Sequence, residues 1–427
     1  MSVFKAVLVM YLLTQVSRCV TVNTEEQLSR FLLSGYNAKA RPVLDDKQAV
    51  NVTIDVGLHH IMKVNEKNEF LQSSVKIRQY WNDPRLRWNK TMYEGIERIT
   101  IDPQQIWLPD ISLFNSATSS IAITETQARV VIKHTGEIAW HNPAILVSSC
   151  IIDISMFPFD NQTCIWRMGS WSFHTSFLDV FPGKDTADLS DYVENGEWSL
   201  QSVIPYRLVK TYECCEGAYS EIRFEIKLRR RTLYYMMNFI LPCILIAVLT
   251  LLVFLLPFES GERMSFGVTV LLSFTILILM LKNKLPPTSK AIPLIAVYYA
   301  CTIIEVSLAM IVACLAMRIY CPEQLSPLPG WAKGILMNVC GKIVGLSGPI
   351  ERVKQEMVIQ RMRQEKLREQ KPTTNPKITI ITDNILDKEE AEATGEEWRL
   401  SSFVVNRLFS LIYLVTIIVT FLVVVML

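Results

Sequence analysis

Residues 150–164 read Cys150-Ile151-Ile152-Asp153-Ile154-Ser155-Met156-Phe157-Pro158-Phe159-Asp160-Asn161-Gln162-Thr163-Cys164. A disulfide joining the two ends would close a tight loop whose tip carries two aromatic rings about a proline. The same spacing suits a plain staple in any exported domain. Position adds weight, because the loop precedes the first long apolar run, which starts near Leu233. A stiff loop with an apolar tip beside a membrane can pass force from an exported domain to a bilayer-embedded one.

The residues around the loop support export. Residues 1–22 hold Lys5, an apolar run over 6–13, then small and polar residues, the form of a secretory signal cut between Ser17 and Val22. Asn51, Asn89 and Asn161 each open an Asn-X-Thr glycan acceptor, and all three precede the first apolar run. Of ten cysteines, Cys19 leaves with the signal, while Cys150, Cys164, Cys214 and Cys215 fall in the exported part. Cys243, Cys301 and Cys314 lie in apolar runs, where a buried thiol is the default. A chain of 427 residues suggests two or three domains. Its net charge of +2 leaves no footprint for nucleic acid, and its positive mean hydropathy points to a membrane.

Residues 23–231 read as an immunoglobulin-like β-sandwich. Alternating runs over 50–56, 75–80, 128–133 and 221–228 are broken by turn signals such as Asn82-Asp83-Pro84 and Pro182-Gly183. Four apolar segments follow, at 233–256, 264–281, 291–317 and 403–427. Three are long enough to cross about 30 Å of hydrocarbon, and the second is marginal. Pro242 predicts a kink in the first. In the second, Ser265, Thr269, Leu272, Ile276 and Leu279 recur at steps of four and three, so they share one helical face. The fold class is therefore α+β, a multidomain membrane protein with a sandwich followed by a four-helix transmembrane bundle.

An exported N-terminus and four spans leave residues 318–402 in the cytoplasm, between helices at 232–317 and a last one at 403–427. The stretch 352–371 holds seven basic residues against three acidic ones, as a cytoplasmic loop should. Residues 330–348 mix Trp, Leu, Ile and Val with glycine and suit the inner membrane face. The acidic stretch 383–397 reads as continuous with the last span. There is no repeat, phosphate loop, zinc spacing or nucleophile elbow, and His59-His60 lacks ligand spacing. Neither an enzyme, a metal nor a cofactor is indicated.

This order of parts resembles the Cys-loop pentameric ligand-gated ion channels. Tyr212-Glu213-Cys214-Cys215 followed by Tyr219 is similar to the agonist-capping loop of nicotinic acetylcholine receptor α-type subunits, of an invertebrate kind. Trp107-Leu108-Pro109-Asp110, Gly169-Ser170-Trp171-Ser172-Phe173, the stretch from Arg229 to Tyr235 and that from Gly261 to Leu272 agree with it. The resemblance covers residues 25–320 and resumes in the last span.

It implies roles residue by residue. A quaternary ammonium donates no hydrogen bond and is held by the negative faces of aromatic rings. Trp171, Tyr212 and Tyr219 match the family's box, Phe114 stands where tyrosine is usual, and Phe173 lies nearby. Cys214 and Cys215 would form a vicinal disulfide at a rigid loop tip, and Cys150 would pair with Cys164. Trp107, Asp110, Trp81, Asp83 and Trp88 read as structural. On the complementary side Lys76 takes the place of a box tryptophan, with Arg78 on the same strand face. Either another subunit supplies that face, or the ligand also carries a carboxylate, as betaine does.

In a pentamer each pore residue becomes a ring. Glu259 and Glu262 then attract cations at the cytoplasmic mouth, and Leu272 matches the hydrophobic gate. At the outer mouth Asn283 replaces an expected acid between Lys282 and Lys284. Coupling is assigned to Glu66, Phe157, Pro158, Phe159, Arg230 and Pro286. Glu305, a charge inside the third span, calls for a partner.

The resemblance thus implies a subunit of a neurotransmitter-gated cation channel in the plasma membrane, with an extracellular N-terminus and a postsynaptic setting. Acetylcholine, choline or betaine would open it at subunit interfaces, passing Na+ and K+, with Ca2+ also considered. Its partners would be identical or homologous subunits and membrane lipid. The alternative is an accessory subunit that conducts only with partners. A membrane-anchored adhesion sandwich would have no use for a hydroxyl-lined second span.

Overall fold

The computed structural model describes residues 23–119, 128–285, 291–321, 328–369 and 376–426. The proposed signal at 1–22 and Pro286 lie outside the described residues. Two compact units are present. One holds the chain up to Asp153 together with Phe159–Arg231, and the other holds Ile154–Pro158 with Thr232–Leu427.

The first unit opens with a short helix, α1 (Thr24–Leu33), followed by ten strands. β1 (Val50–Asn65), β2 (Phe70–Asn82), β3 (Arg98–Ile101), β5 (Val130–Lys133), β6 (Glu137–Ser149) and β8 (Leu178–Pro182) form one sheet, in the order β3-β5-β6-β2-β1-β8. β4 (Ile111–Leu113), β7 (Asn161–Ser170), β9 (Trp198–Thr211) and β10 (Ala218–Arg230) form the other, in the order β4-β7-β10-β9. Period-2 alternation decides which side chains enter the core. Along β2, Leu71, Val75, Ile77 and Trp81 are buried, while Lys76 and Arg78 belong to the opposite face. Trp166 and Phe224, one residue from each of two paired strands, are fully buried with ring centroids 6.2 Å apart. The Cys150–Cys164 disulfide, with Cα atoms 5.1 Å apart, staples the residue after β6 to β7 and so ties the two sheets together.

Trp81 and Trp107 pack edge to face 6.2 Å apart, and Asp83 accepts hydrogen bonds from Tyr36 and Arg85. Burial, then the bond to Asp83, holds the Tyr36 hydroxyl proton well above the ordinary range. These residues are structural, as their patterning implied.

In the second unit, four helices are long and apolar enough to cross a membrane. They are α2 (Leu233–Leu255), α3 (Glu262–Lys282), α4 (Leu294–Tyr320) and the far half of α7 (Pro376–Met426). Between them run residues 330–343, a helix with a π-helical centre, here α5, and α6 (Ser347–Glu369). The kink expected at Pro242 takes the form of a π-helical turn, Met236–Ile240, directly before it. The wider turn suits a residue that lacks an N–H and whose ring crowds the preceding turn. Cys243 is buried as expected, but Cys301 and Cys314 are exposed. Cys301 shares a stripe with Val297, Ile304, Leu308, Ile311 and Leu315, all turned away from the other helices of this chain. Glu305 Oε1 receives a hydrogen bond from Thr420 at 2.6 Å, while its Oε2 is buried without a hydrogen-bond partner among the described residues.

A buried cation that the sequence did not flag links three of these helices. Arg263 donates to the Val253 carbonyl at 2.6 Å and to Asn406, and lies 4.5 Å from the centroid of Phe258. Asn406 in turn donates to the Phe254 carbonyl at 2.7 Å.

At the end of β10, the Arg230 side chain is fully buried among three carboxylates. It meets Asp160 at 2.7 Å and 3.1 Å, Glu66 at 2.6 Å and Glu197 at 3.4 Å, and lies 4.2 Å from the centroid of Trp198. Burial works against its charge, yet bonds to Asp160 and Glu66 hold its proton above the ordinary arginine range. Removing one member of a buried pair strands the other charge, at about 3–5 kcal/mol. We expect Arg230→Gln to lower thermal stability of the purified receptor by that order. Asp160→Asn should cost more than Glu66→Gln, because Asp160 grips the guanidinium with both oxygens and Glu66 with one. Equal melting shifts for the two carboxylate variants would contradict this ranking.

Candidate ligand-binding site

The four strands of the second sheet bring the aromatic residues together. Phe114 follows β4 directly, Trp171 follows β7, and Tyr212 and Tyr219 flank the β9–β10 hairpin loop. Register aligns them, since Gly169 of β7 faces both Ser112 of β4 and Glu221 of β10. Phe114 and Trp171 meet edge to face at 5.8 Å, and Tyr212 and Tyr219 do so at 5.9 Å. Together with Cys214 and Cys215, disulfide-bonded to each other, they line a cavity of about 390 Å³. Trp171 is 60% exposed, so within this chain the cavity lacks one wall.

Nearby charges are partly compensated, two arginines sharing one carboxylate. Arg167, which also lines the cavity, meets Glu221 at 2.7 Å, and Glu221 meets Arg223 at 2.5 Å. Lys210 stands 5.5 Å from the centroid of Tyr212 and makes no ion pair among the described residues. Two residues place the box without lining it. Asp110 accepts from Ser170 Oγ at 2.5 Å and from the Ser172 N–H at 2.8 Å, which fixes the turn that carries Trp171. Sequence reading marked Asp110 only as structural, and its role as a positioning residue emerges from these bonds. Gly169 is the second, because a Cβ there would fall 2.7 Å from the Ser220 carbonyl and 3.0 Å from the Phe114 ring. Gly217, at φ +87°, turns the hairpin loop above His174.

Phe173 is half-buried and does not line this cavity. Lys76 and Arg78 are not brought to it either. They line a second groove, of about 490 Å³, on the other sheet. The Arg78 guanidinium is committed to Asp55 at 2.9 Å and to Asp188, and its bond holds the Asp188 carboxyl well below the usual carboxylate range. Lys76 lies 3.7 Å from Asp191. On the same face burial, then Arg78 and Lys76, push the His141 imidazole down, which keeps it neutral at pH 7.

On α3, Glu262, Ser265, Thr269, Leu272, Ile276, Leu279 and Asn283 are all exposed, while Arg263, Gly267, Val270, Phe274 and Leu281 turn inward. Thr269 and Ser273 donate to backbone carbonyls one turn back. Glu259, grouped with Glu262 in the sequence reading, accepts instead from Tyr320 at the end of α4, at 3.0 Å. In the Cys150–Cys164 loop, Phe157 is buried with its ring 4.9 Å from Tyr235, the Phe157–Pro158 bond is cis, and Phe159 is exposed. Asn51, Asn89 and Asn161 are all exposed.

Comparison with known proteins agrees with this architecture. The neurotransmitter-gated ion-channel ligand binding domain matches residues 25–232, and the transmembrane region of the same family matches residues 239–380. The chain belongs to the neurotransmitter-gated ion channels, a family of membrane receptors rather than enzymes. Its similar relatives are neuronal acetylcholine receptor subunits. It is 39% identical to alpha-9-II of Oncorhynchus mykiss over 333 residues, which is 78% of this chain and 60% of the relative. It is 40% identical to human alpha-10 over 313 residues (73% and 69%), and 34% identical to rat alpha-3 over 326 residues (76% and 65%). The chain thus spans about 60% of the length of the alpha-9 subunits of Oncorhynchus mykiss.

Because the Ser220 carbonyl near Gly169 is backbone and cannot swing aside, Gly169→Ala should separate β7 from β10 and tilt the Phe114 ring. Overpacking of this kind costs about 1–3 kcal/mol, or roughly five- to hundredfold in affinity. Equilibrium binding of a quaternary amine, normalised to surface receptor, measures it. Unchanged affinity would show that Phe114 does not shape the cavity.

Proposed function

We propose that this chain is a subunit of a cation-selective channel, pentameric and postsynaptic, opened when acetylcholine or a related quaternary amine such as choline or betaine binds at subunit interfaces. The four-ring cavity of Phe114, Trp171, Tyr212 and Tyr219 carries the reading. Its rings offer π faces, and Arg167, the one charged side chain lining the cavity, is held by Glu221. Such a cavity suits a cation without N–H donors, and each ring contributes about 0.5–2 kcal/mol. The vicinal disulfide stiffens the loop that covers it.

For conduction, the exposed face of α3 supplies one ring of side chains per level in a five-fold assembly. Glu262 supplies the charge that favours Na+ and K+, and Leu272 the apolar constriction. Coupling is assigned to the Arg230 cluster and to the loop tip around Phe157. Glycans belong on Asn51, Asn89 and Asn161.

Two measurements test the reading. Trp171→Ala should raise the half-maximal concentration of a quaternary agonist about three- to thirtyfold at unchanged surface density. Glu262→Ala should shift the reversal potential toward lower cation preference and leave agonist potency alone. A Glu262→Ala receptor with unaltered reversal potential would remove this residue from the filter.

A further inference from the structure

The rings of the cavity account for a quaternary ammonium, and the charges beside them do not. Arg167 is the one charged side chain among the residues that line the cavity. Backbone bonding fixes it beside the rings, since the Phe114 N–H donates to the Arg167 carbonyl at 2.8 Å. Its guanidinium carbon lies 6.0 Å from the Phe114 centroid. Nε and Nη2 both donate to Oε2 of Glu221, at 3.1 Å and 2.7 Å, and Nη1 makes no hydrogen bond among the described residues. Two of the five N–H donors of a guanidinium are thus spent, and the Nη1 edge is left over.

The excess of positive charge is local and real. Glu221 gives its other oxygen to Arg223, so one carboxylate serves two guanidiniums. Lys210, 5.5 Å from the Tyr212 centroid, makes no ion pair among the described residues. Asp110 is committed to Ser170 and Ser172, and Glu213 and Glu216 of the hairpin loop do not line the cavity. Like charges a few ångströms apart repel, and a cavity shielded from bulk water screens them poorly. A ligand that is only a cation would therefore meet the rings against an opposing charge. A ligand that brings its own carboxylate turns the same guanidinium into a contact, because a spare N–H edge matches two carboxylate oxygens.

Resting on the proposed box, we infer that the preferred ligand is a zwitterion, a quaternary ammonium with a carboxylate a few bonds from its nitrogen. The rings take the methylated head, Arg167 takes the carboxylate, and Lys210 adds to the favourable field. Arg167 is the specificity-determining residue, separating zwitterionic from purely cationic quaternary amines. Within this chain the anion contact falls on the aromatic face itself, since Lys76 lines the other groove.

Equilibrium binding to the purified full-length receptor tests this, with betaine, betaine methyl ester and tetramethylammonium as probes. The ester keeps the head and the carbonyl and lacks the negative charge. Betaine should bind about ten- to hundredfold more tightly than its ester, the range for one hydrogen bond to a charged group. Arg167→Gln should bring the two within roughly threefold of each other, and Arg167→Lys should restore part of the preference. A general distortion of the cavity weakens both ligands alike, so the ratio reports the anion contact alone. The inference is overturned if the unmodified receptor binds the ester as tightly as betaine, a comparison that needs no variant. It is overturned equally by a betaine preference that survives Arg167→Gln, or by no measurable betaine binding. If Trp171→Ala leaves the affinity of all three probes unchanged, the box itself is misassigned, a failure distinct from that of Arg167.

Discussion

Arg230 sets a constraint that much of the first unit serves. One guanidinium with no exposed surface gathers a carboxylate from the β1–β2 turn, one from the end of the Cys150–Cys164 loop and one from the segment before β9. Burying so many charges is expensive, and the arrangement holds only because the bonds to Asp160 are paired and the Trp198 ring covers the cation. Its own backbone N–H donates to the Asp160 carbonyl as well. The last residues of β10, immediately ahead of the first span, therefore have no freedom to slide against that loop. A change at any of the three carboxylates must be felt by the other two.

The ligand cavity shows the opposite economy, one carboxylate serving two cations. Arg167 and Arg223 share Glu221 beside the rings, which leaves one positive charge over, and Asp110 spends both oxygens on the Trp171 turn. The ring faces must therefore hold a cation beside that residual charge. On the other sheet the groove is dominated by paired opposite charges, with the His59 imidazole as the ring that lines it. The two faces are thus chemically unlike despite sharing one sandwich.

Much of this was legible in the sequence where periodicity or spacing carries information. The strands, the four spans and the single face of α3 follow from patterns visible along the chain, while the grouping of Phe114, Trp171, Tyr212 and Tyr219 came only from the resemblance to a known family. Long-range pairing was less legible. That Arg78 would be consumed by Asp188, more than a hundred residues away, depends on β8 lying beside β1, and no local signal announces that. Glu259 parted from Glu262 because Tyr320 reaches it from another helix. Asp160 outranked Glu66 at Arg230 for the same reason. Arg263 lies inside the stretch from Gly261 to Leu272, yet no local signal announces that it is buried between helices, because Val253 and Asn406 reach it from other segments.

The hydroxyls of α3 have a consequence for what an ion would meet. A hydroxyl has one hydrogen and two lone pairs, and in Thr269 and Ser273 that hydrogen is already given to the preceding turn. Each such oxygen then presents only electron pairs outward. A conduit walled this way can replace part of the hydration shell of a cation and has no hydrogen to offer an anion. Discrimination by sign would then draw on the acceptor oxygen of Thr269, two turns along the helix, as well as on the charged ring at Glu262.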